Sequence, residues 1–103
     1  MDLKKLQSDV FEVMKGYASD SEYLLDTDFA MKKLAEEFGE FNQAVLIHEK
    51  KCRKVKWVSE ETSKKNLAGE LADLLGILLL TAELFGIDME KEMLDKWYSY
   101  LKK

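Results

Sequence analysis

The chain contains no proline, one cysteine, one histidine and five glycines in 103 residues. Without proline, nothing removes a backbone donor or clashes one turn back, so helix can run uninterrupted. The lone Cys52 has no partner for an intramolecular disulfide, and the N-terminus carries no apolar run resembling a leader. Both features fit a reducing, cytoplasmic compartment. Long apolar runs are missing too. The longest stretch without charge, Leu74 to Ala82, falls far short of the roughly 20 residues a membrane span needs. An excess of positive charge is also absent: 16 Lys and Arg against 20 Asp and Glu give a net charge of −4. A phosphate backbone demands a basic surface, which argues against nucleic acid as the main partner. A small anion brought in by metal remains compatible.

Hydrophobic residues at 47% and charged residues at 35% describe a globular chain, and its length suits one domain over residues 1–103. The expected class is all-α, a subunit like a four-helix bundle. Leu3, Leu6, Val10, Val13 and Met14 recur at helical spacing and predict a first helix from Asp2 to Met14, stopped by Gly16. A connection follows, with a short helical turn around Glu22–Leu25. Asp28 is a candidate cap for a second helix reaching Lys50, with Met31, Leu34, Ala35, Phe38, Phe41 and Val45 as its core stripe. Ser59 caps a third helix, with Glu60 and Glu61 in its first turn opposing the dipole and Gly86 just past its end. Asp88 caps a fourth, which continues to the C-terminus. The third helix is apolar in nearly every direction between Leu71 and Ile87. A helix apolar all round is buried all round, so a homodimer or homotetramer with this helix at its centre is expected.

Two acidic clusters stand out, Glu36-Glu37-x-x-Glu40 on the second helix and Glu70-x-x-Asp73 on the third. At about 100° per residue, Glu36, Glu40 and Glu37 project within one arc of roughly 100°. Glu70 and Asp73 are neighbours at i,i+3 and share a face with Asn66. Antiparallel packing would bring these acids to one small volume. On the second helix a solvated face would carry acids anyway. Carboxylates on the otherwise apolar third helix need partners, either lysines or a metal. The corresponding position of a di-iron Glu-x-x-His motif is Asp73, and zinc would want cysteine or histidine. All-oxygen ligands suit Mg²⁺, with Mn²⁺ possible, and such ions usually join a few carboxylates to substrate phosphates.

The runs Lys33-Leu34-Ala35-Glu36-Glu37-Phe38-Gly39-Glu40, Gly69-Glu70-Leu71-Ala72-Asp73 and Leu84-Phe85-Gly86-Ile87-Asp88 resemble the MazG-like nucleoside triphosphate pyrophosphohydrolases, whose signature is EExxE followed by ExxD on the next helix. The likeness covers roughly residues 29–97. It implies an α-helical dimer or tetramer that uses Mg²⁺ to hydrolyse a nucleoside triphosphate to monophosphate and pyrophosphate. Glu37, Glu40, Glu70 and Asp73 match the family's metal ligands, Glu36 a position suited to holding the attacking water, and Lys96 a phosphate-contacting lysine of the last helix. Tyr100 replaces a frequent asparagine. Lys33, inside the acidic arc, is a candidate phosphate contact or an ion-pair partner of Glu36 or Glu37, and Asn66 a further substrate contact. Trp57 is a candidate for base stacking or for packing. The basic Lys50–Lys56 segment could steer a triphosphate or simply balance acidic neighbours. The competing reading is a non-catalytic helical assembly module whose acids pair with lysines.

Overall fold

A computed structural model of the chain describes residues 2–101. All regular structure in these residues is helical: α1 spans Leu3–Asp20, α2 Thr27–His48, α3 Glu60–Leu84 and α4 Met89–Met93. After α4 come a π-helical stretch, Leu94–Tyr98, and a last short helix, α5, Ser99–Leu101. A single 3-10 turn, Lys54–Lys56, lies in the connection between α2 and α3.

Each main helix begins on a side-chain cap. The carboxylates of Asp2, Asp26 and Asp88 accept from the backbone N–H three residues on, and the Ser59 hydroxyl accepts from Thr62. Each cap satisfies one of the orphan donors of a helix start, worth about 1 kcal/mol. The cap of α2 is Asp26 rather than the expected Asp28, and no helical turn forms at Glu22–Leu25. Helix α1 also runs on through Gly16 to Asp20. Glycine inside a helix costs roughly 0.5–1 kcal/mol, and burying Ala18 one half-turn later opposes that cost. Gly86 adopts φ +72 just past α3, the left-handed geometry that closes a helix.

Helices α2 and α3 form a long antiparallel hairpin. His48 Nδ1 sits 2.8 Å from Ser63 Oγ near its closed end, while Ala30 and Leu80 share a core cluster with Ile77 at the other. Helix α1 packs along α3, placing Phe11 and Met14 on that cluster. The buried Gln7 ties the pieces together. Its amide nitrogen donates to Glu83 and to the Ile87 carbonyl, and its amide oxygen accepts from the Met89 N–H.

The face of α2 turned toward α3 is only in part the expected one: of the expected stripe Leu34, Phe41 and Val45 are partly buried, and Leu34 packs on the core cluster. Ala30, Ala44 and Glu37 are buried, while Met31, Ala35 and Phe38 are exposed. The small side chains of Ala30 and Ala44 let the helices approach closely on the acid-bearing side. The larger apolar stripe of Met31 and Phe38 is thereby left outside. Helix α3 is likewise covered on one side only: Ile77, Leu79, Leu80 and Ala82 are buried, whereas Leu71, Leu75, Leu78 and Phe85 are about half exposed. The radius of gyration is 16.4 Å, against about 13 Å for a compact chain of this length.

Candidate metal and nucleotide site

The hairpin register decides which acids meet. Because α2 and α3 are antiparallel, one turn forward on α2 matches one turn back on α3, and the two acidic motifs come into line. One carboxylate oxygen from each of Glu37, Glu70 and Asp73 lies within 4.8 Å of the others. Glu40 lies beside them, close enough to hydrogen-bond with both Glu37 and Glu70 when a proton is shared. Glu37 is buried, Glu70 half-buried, and Glu40 and Asp73 exposed.

The electrostatics are those of a cluster without a counter-charge. Burial, then the nearby Glu40, push the carboxyls of both Glu37 and Glu70 above the usual carboxylate range, and Asp73 adds to the effect on each. Lys33 opposes it weakly at Glu37, where the ion-pair distance is 3.7 Å. Its main partner is the exposed Glu36, at 2.5 Å. Among the described residues, no lysine or arginine forms an ion pair with Glu40, Glu70 or Asp73. The salt-bridge reading therefore accounts for Glu36 and part of Glu37 only. Glu37 Oε2 and Glu70 Oε2 are buried without any hydrogen-bond partner, a costly state for a carboxylate.

These residues fit a hard divalent cation. The donors are all carboxylate oxygens, the choice of Mg²⁺ and Mn²⁺. Oxygens bound to one magnesium stand up to about 4.2 Å apart, the same scale as the 4.8 Å within which these three oxygens lie. The two orphaned oxygens would gain the partner that the protein does not supply.

Two clefts meet at the acids, and Asp73 lines both. The first, about 660 Å³, runs between α2 and α3 toward their connection and is bordered by Glu40, Glu70, Gln43, Lys65 and Asn66. The second, about 460 Å³, opens toward α1 and is bordered by Glu37, Lys33, Tyr17, Tyr23 and Met14. Tyr23 follows the turn at Ser21–Glu22 and stacks on Phe29, with ring centroids 4.7 Å apart.

The structure thus gathers Glu37, Glu40, Glu70 and Asp73, with Lys33 and Asn66 at the edges. Three candidates stay outside, and the first, the exposed Glu36, borders neither cleft and reaches the cluster only through its ion pair with Lys33. Trp57 is engaged by its own connection: its ring lies under the ammonium groups of Lys50 and Lys54 at 5.3 and 5.7 Å, and its Nε1–H donates to the Cys52 carbonyl. Lys96 sits on the exposed π-helical stretch beyond α4 and borders neither cleft. Gln43, Lys65, Tyr17 and Tyr23 border the clefts but are not marked by the sequence motifs. Gln43 and Asn66 could be found as the next turn beyond Glu40 and Glu70. The tyrosines depend on α1 outrunning Gly16.

A family model described as phosphoribosyl-ATP pyrophosphohydrolase matches residues 17–96, most of the chain. That family lies within the MazG-like all-α superfamily, so the resemblance to MazG-like enzymes holds at superfamily level and not as membership of the MazG family itself. A comparison with curated proteins and one with solved structures return no match.

Proposed function

The chain belongs to the phosphoribosyl-ATP pyrophosphohydrolase family, whose members are pyrophosphohydrolases acting on nucleotides, and on that premise we propose that it hydrolyses a nucleoside triphosphate to monophosphate and pyrophosphate, with Mg²⁺ held by Glu37, Glu40, Glu70 and Asp73. The observation that carries this reading is the pair of buried carboxylate oxygens on Glu37 and Glu70 without a hydrogen-bond partner, in two residues whose carboxylates meet Asp73 in one cluster. A structural role for these acids would leave only protons shared with Glu40 to relieve that desolvation. Phosphoribosyl-ATP, named by the family description, is one member of the substrate class.

When bound, divalent ions would supply charge neutralisation for the phosphates and activation of water. The protein's part is positioning. The four acids fix where positive charge is concentrated, and therefore where the α-phosphate comes to rest. Lys33, held by Glu36 beside Glu37, is free to exchange one carboxylate for a phosphate oxygen. Glu36, released when Lys33 turns to the phosphate, holds the attacking water and takes its proton. Water oxygen bonds to the α-phosphorus, the bond from that phosphorus to the bridging oxygen breaks, and pyrophosphate leaves with the bonding electrons.

The enzyme acts as a dimer or tetramer. The exposed apolar faces of α2 and α3 and the large radius of gyration support this, since a chain of this size cannot cover both faces of α3 alone.

The test is release of pyrophosphate from canonical nucleoside triphosphates, deoxy and base-modified analogues, and phosphoribosyl-ATP, each with Mg²⁺. At least one should turn over, and Asp73→Asn and Glu40→Gln should each reduce its turnover by at least 100-fold, on the order of 3 kcal/mol, with helicity retained. No release from any substrate, or turnover surviving in both variants, refutes the assignment.

A further inference from the structure

Resting on that reading, we infer that the substrate lies along the α2–α3 seam in one direction only, its terminal phosphates pointing to Lys65, Asn66 and Gln43 and its nucleoside lying against Tyr17 and Tyr23. The two clefts differ in chemistry on opposite sides of the same acids. The α2–α3 cleft offers an ammonium from Lys65 and amide donors from Asn66 and Gln43. A polyphosphate presents only acceptors, so donors are what its tail requires. The α1-side cleft offers Tyr17, the Tyr23 ring stacked on Phe29, and the apolar Val10 and Met14, with its one ammonium, Lys33, beside Glu37 at the acids, where the α-phosphate rests. Such a wall suits the flat faces of a base.

The connections at the two ends of α2 give an independent reason. Residues 50–56, beyond the Ile47 and Ser63 end of the first cleft, hold five basic side chains and no acid. Residues 20–28, beside the second, hold four acids and no base. Lys51 pairs with Glu49, and Asp28 with Lys32, yet the difference in sign between the ends persists. A chain of phosphates in that field is drawn with its free end toward residues 50–56. The reverse placement would press the most highly charged phosphate against Asp20, Glu22 and Asp26. The distance also suits. From Glu37 to Gln43 and from Asp73 to Asn66 is about two helical turns, roughly 9–10 Å, the scale of a three-phosphate chain. This direction gives Lys65 and the tyrosines separate tasks, one reading the phosphate tail and the other the nucleoside.

Titration calorimetry with Mg²⁺ present separates the two ends, using inorganic tripolyphosphate as one probe and AMP, GMP, CMP and UMP as the other. Lys65→Ala should weaken tripolyphosphate about tenfold and leave the best-binding monophosphate within about twofold, with Lys65→Arg restoring the loss. Tyr17→Ala should do the opposite. Tyr17 is exposed, so this variant keeps the test valid should Tyr23→Leu disturb packing on Phe29. The inverted pattern, or equal losses of both probes in both variants, overturns the direction. Failure of the underlying activity reads out separately, as a wild-type chain that releases no pyrophosphate from any nucleotide.

Discussion

Replacing Glu37 by glutamine should make the metal-free protein more stable and the metal-loaded protein less stable, an inversion that a merely structural acid would not produce. In the wild type, Glu37 faces Glu70 and Asp73 with oxygens within 4.8 Å. At that separation one pair of like charges costs between about 1 kcal/mol in bulk water and about 3.5 kcal/mol at an effective dielectric of 20. Asp73 is exposed, and Glu37 can lower its own cost by retaining a proton, so the net relief sits near the bottom of that range. Against it stands the contact with Lys33 at 3.7 Å, a partly exposed pair worth about 0–1 kcal/mol. Relief wins by at most about 1 kcal/mol. For a domain of about 100 residues that raises Tm by no more than roughly 4–8 °C in EDTA. With Mg²⁺ or Mn²⁺ at 100 times its Kd the wild type gains about 2.7 kcal/mol by linkage, and the variant, short of a ligand, gains much less. Differential scanning fluorimetry at one fixed protein concentration, with EDTA and with metal, measures both halves. A variant destabilised equally in the two conditions would refute the picture of an uncompensated acid cluster.

The remaining expectations concern pH and assembly. Burial and neighbouring acids raise the carboxyls of Glu37 and Glu70 above their ordinary 4.5, so between that value and the raised ones the native state holds more protons than the unfolded state. Stability from this source is present at low pH and is lost as pH rises through the window. In EDTA, the Tm of Glu37→Gln/Glu70→Gln minus that of the wild type should therefore grow as pH climbs above about 4.5 and then level off; a gap independent of pH would contradict it. Leu75, about half exposed on α3 beside Leu71 and Leu78, should lie in a subunit interface. Light scattering after size exclusion should give a dimer or tetramer for the wild type and a smaller species for Leu75→Glu, and a monomeric wild type removes the interface.

Helix positions were legible because their determinants are local. Ser59 with Glu60 and Glu61, and Gly86 after Leu84, mark the ends of α3 through capping groups that act within one turn. Local signals also erred where a distant contact outweighed them. Gly16 reads as a stop, but Ala18 is buried against the rest of the fold and the helix continues. The acidic motifs announced themselves for the same local reason, since i,i+3 and i,i+4 spacing on a helix fixes which side chains share a face.

The orientation of α2 is where sequence alone was half right: Leu34, Phe41 and Val45 of the expected stripe are partly buried, and Leu34 packs on the core. The other half of that stripe, Met31, Ala35 and Phe38, looks like core because periodicity reports amphipathicity without saying what the apolar face meets. In the single chain those three side chains are exposed, and the buried positions of α2 are Ala30, Glu37 and Ala44.

What the sequence by itself determined is an all-helical chain carrying two acidic motifs with no histidine among them, because capping, helical period and side-chain chemistry are properties of neighbouring residues. What only the tertiary structure decided is that the two motifs lie opposite each other, that two of their oxygens are buried without partners, and that clefts of different chemistry open on either side. Those outcomes depend on the register between α2 and α3, and register is set by how Ala30, Ile77 and Leu80 interlock, a long-range fit that the spacing of residues along one helix cannot encode.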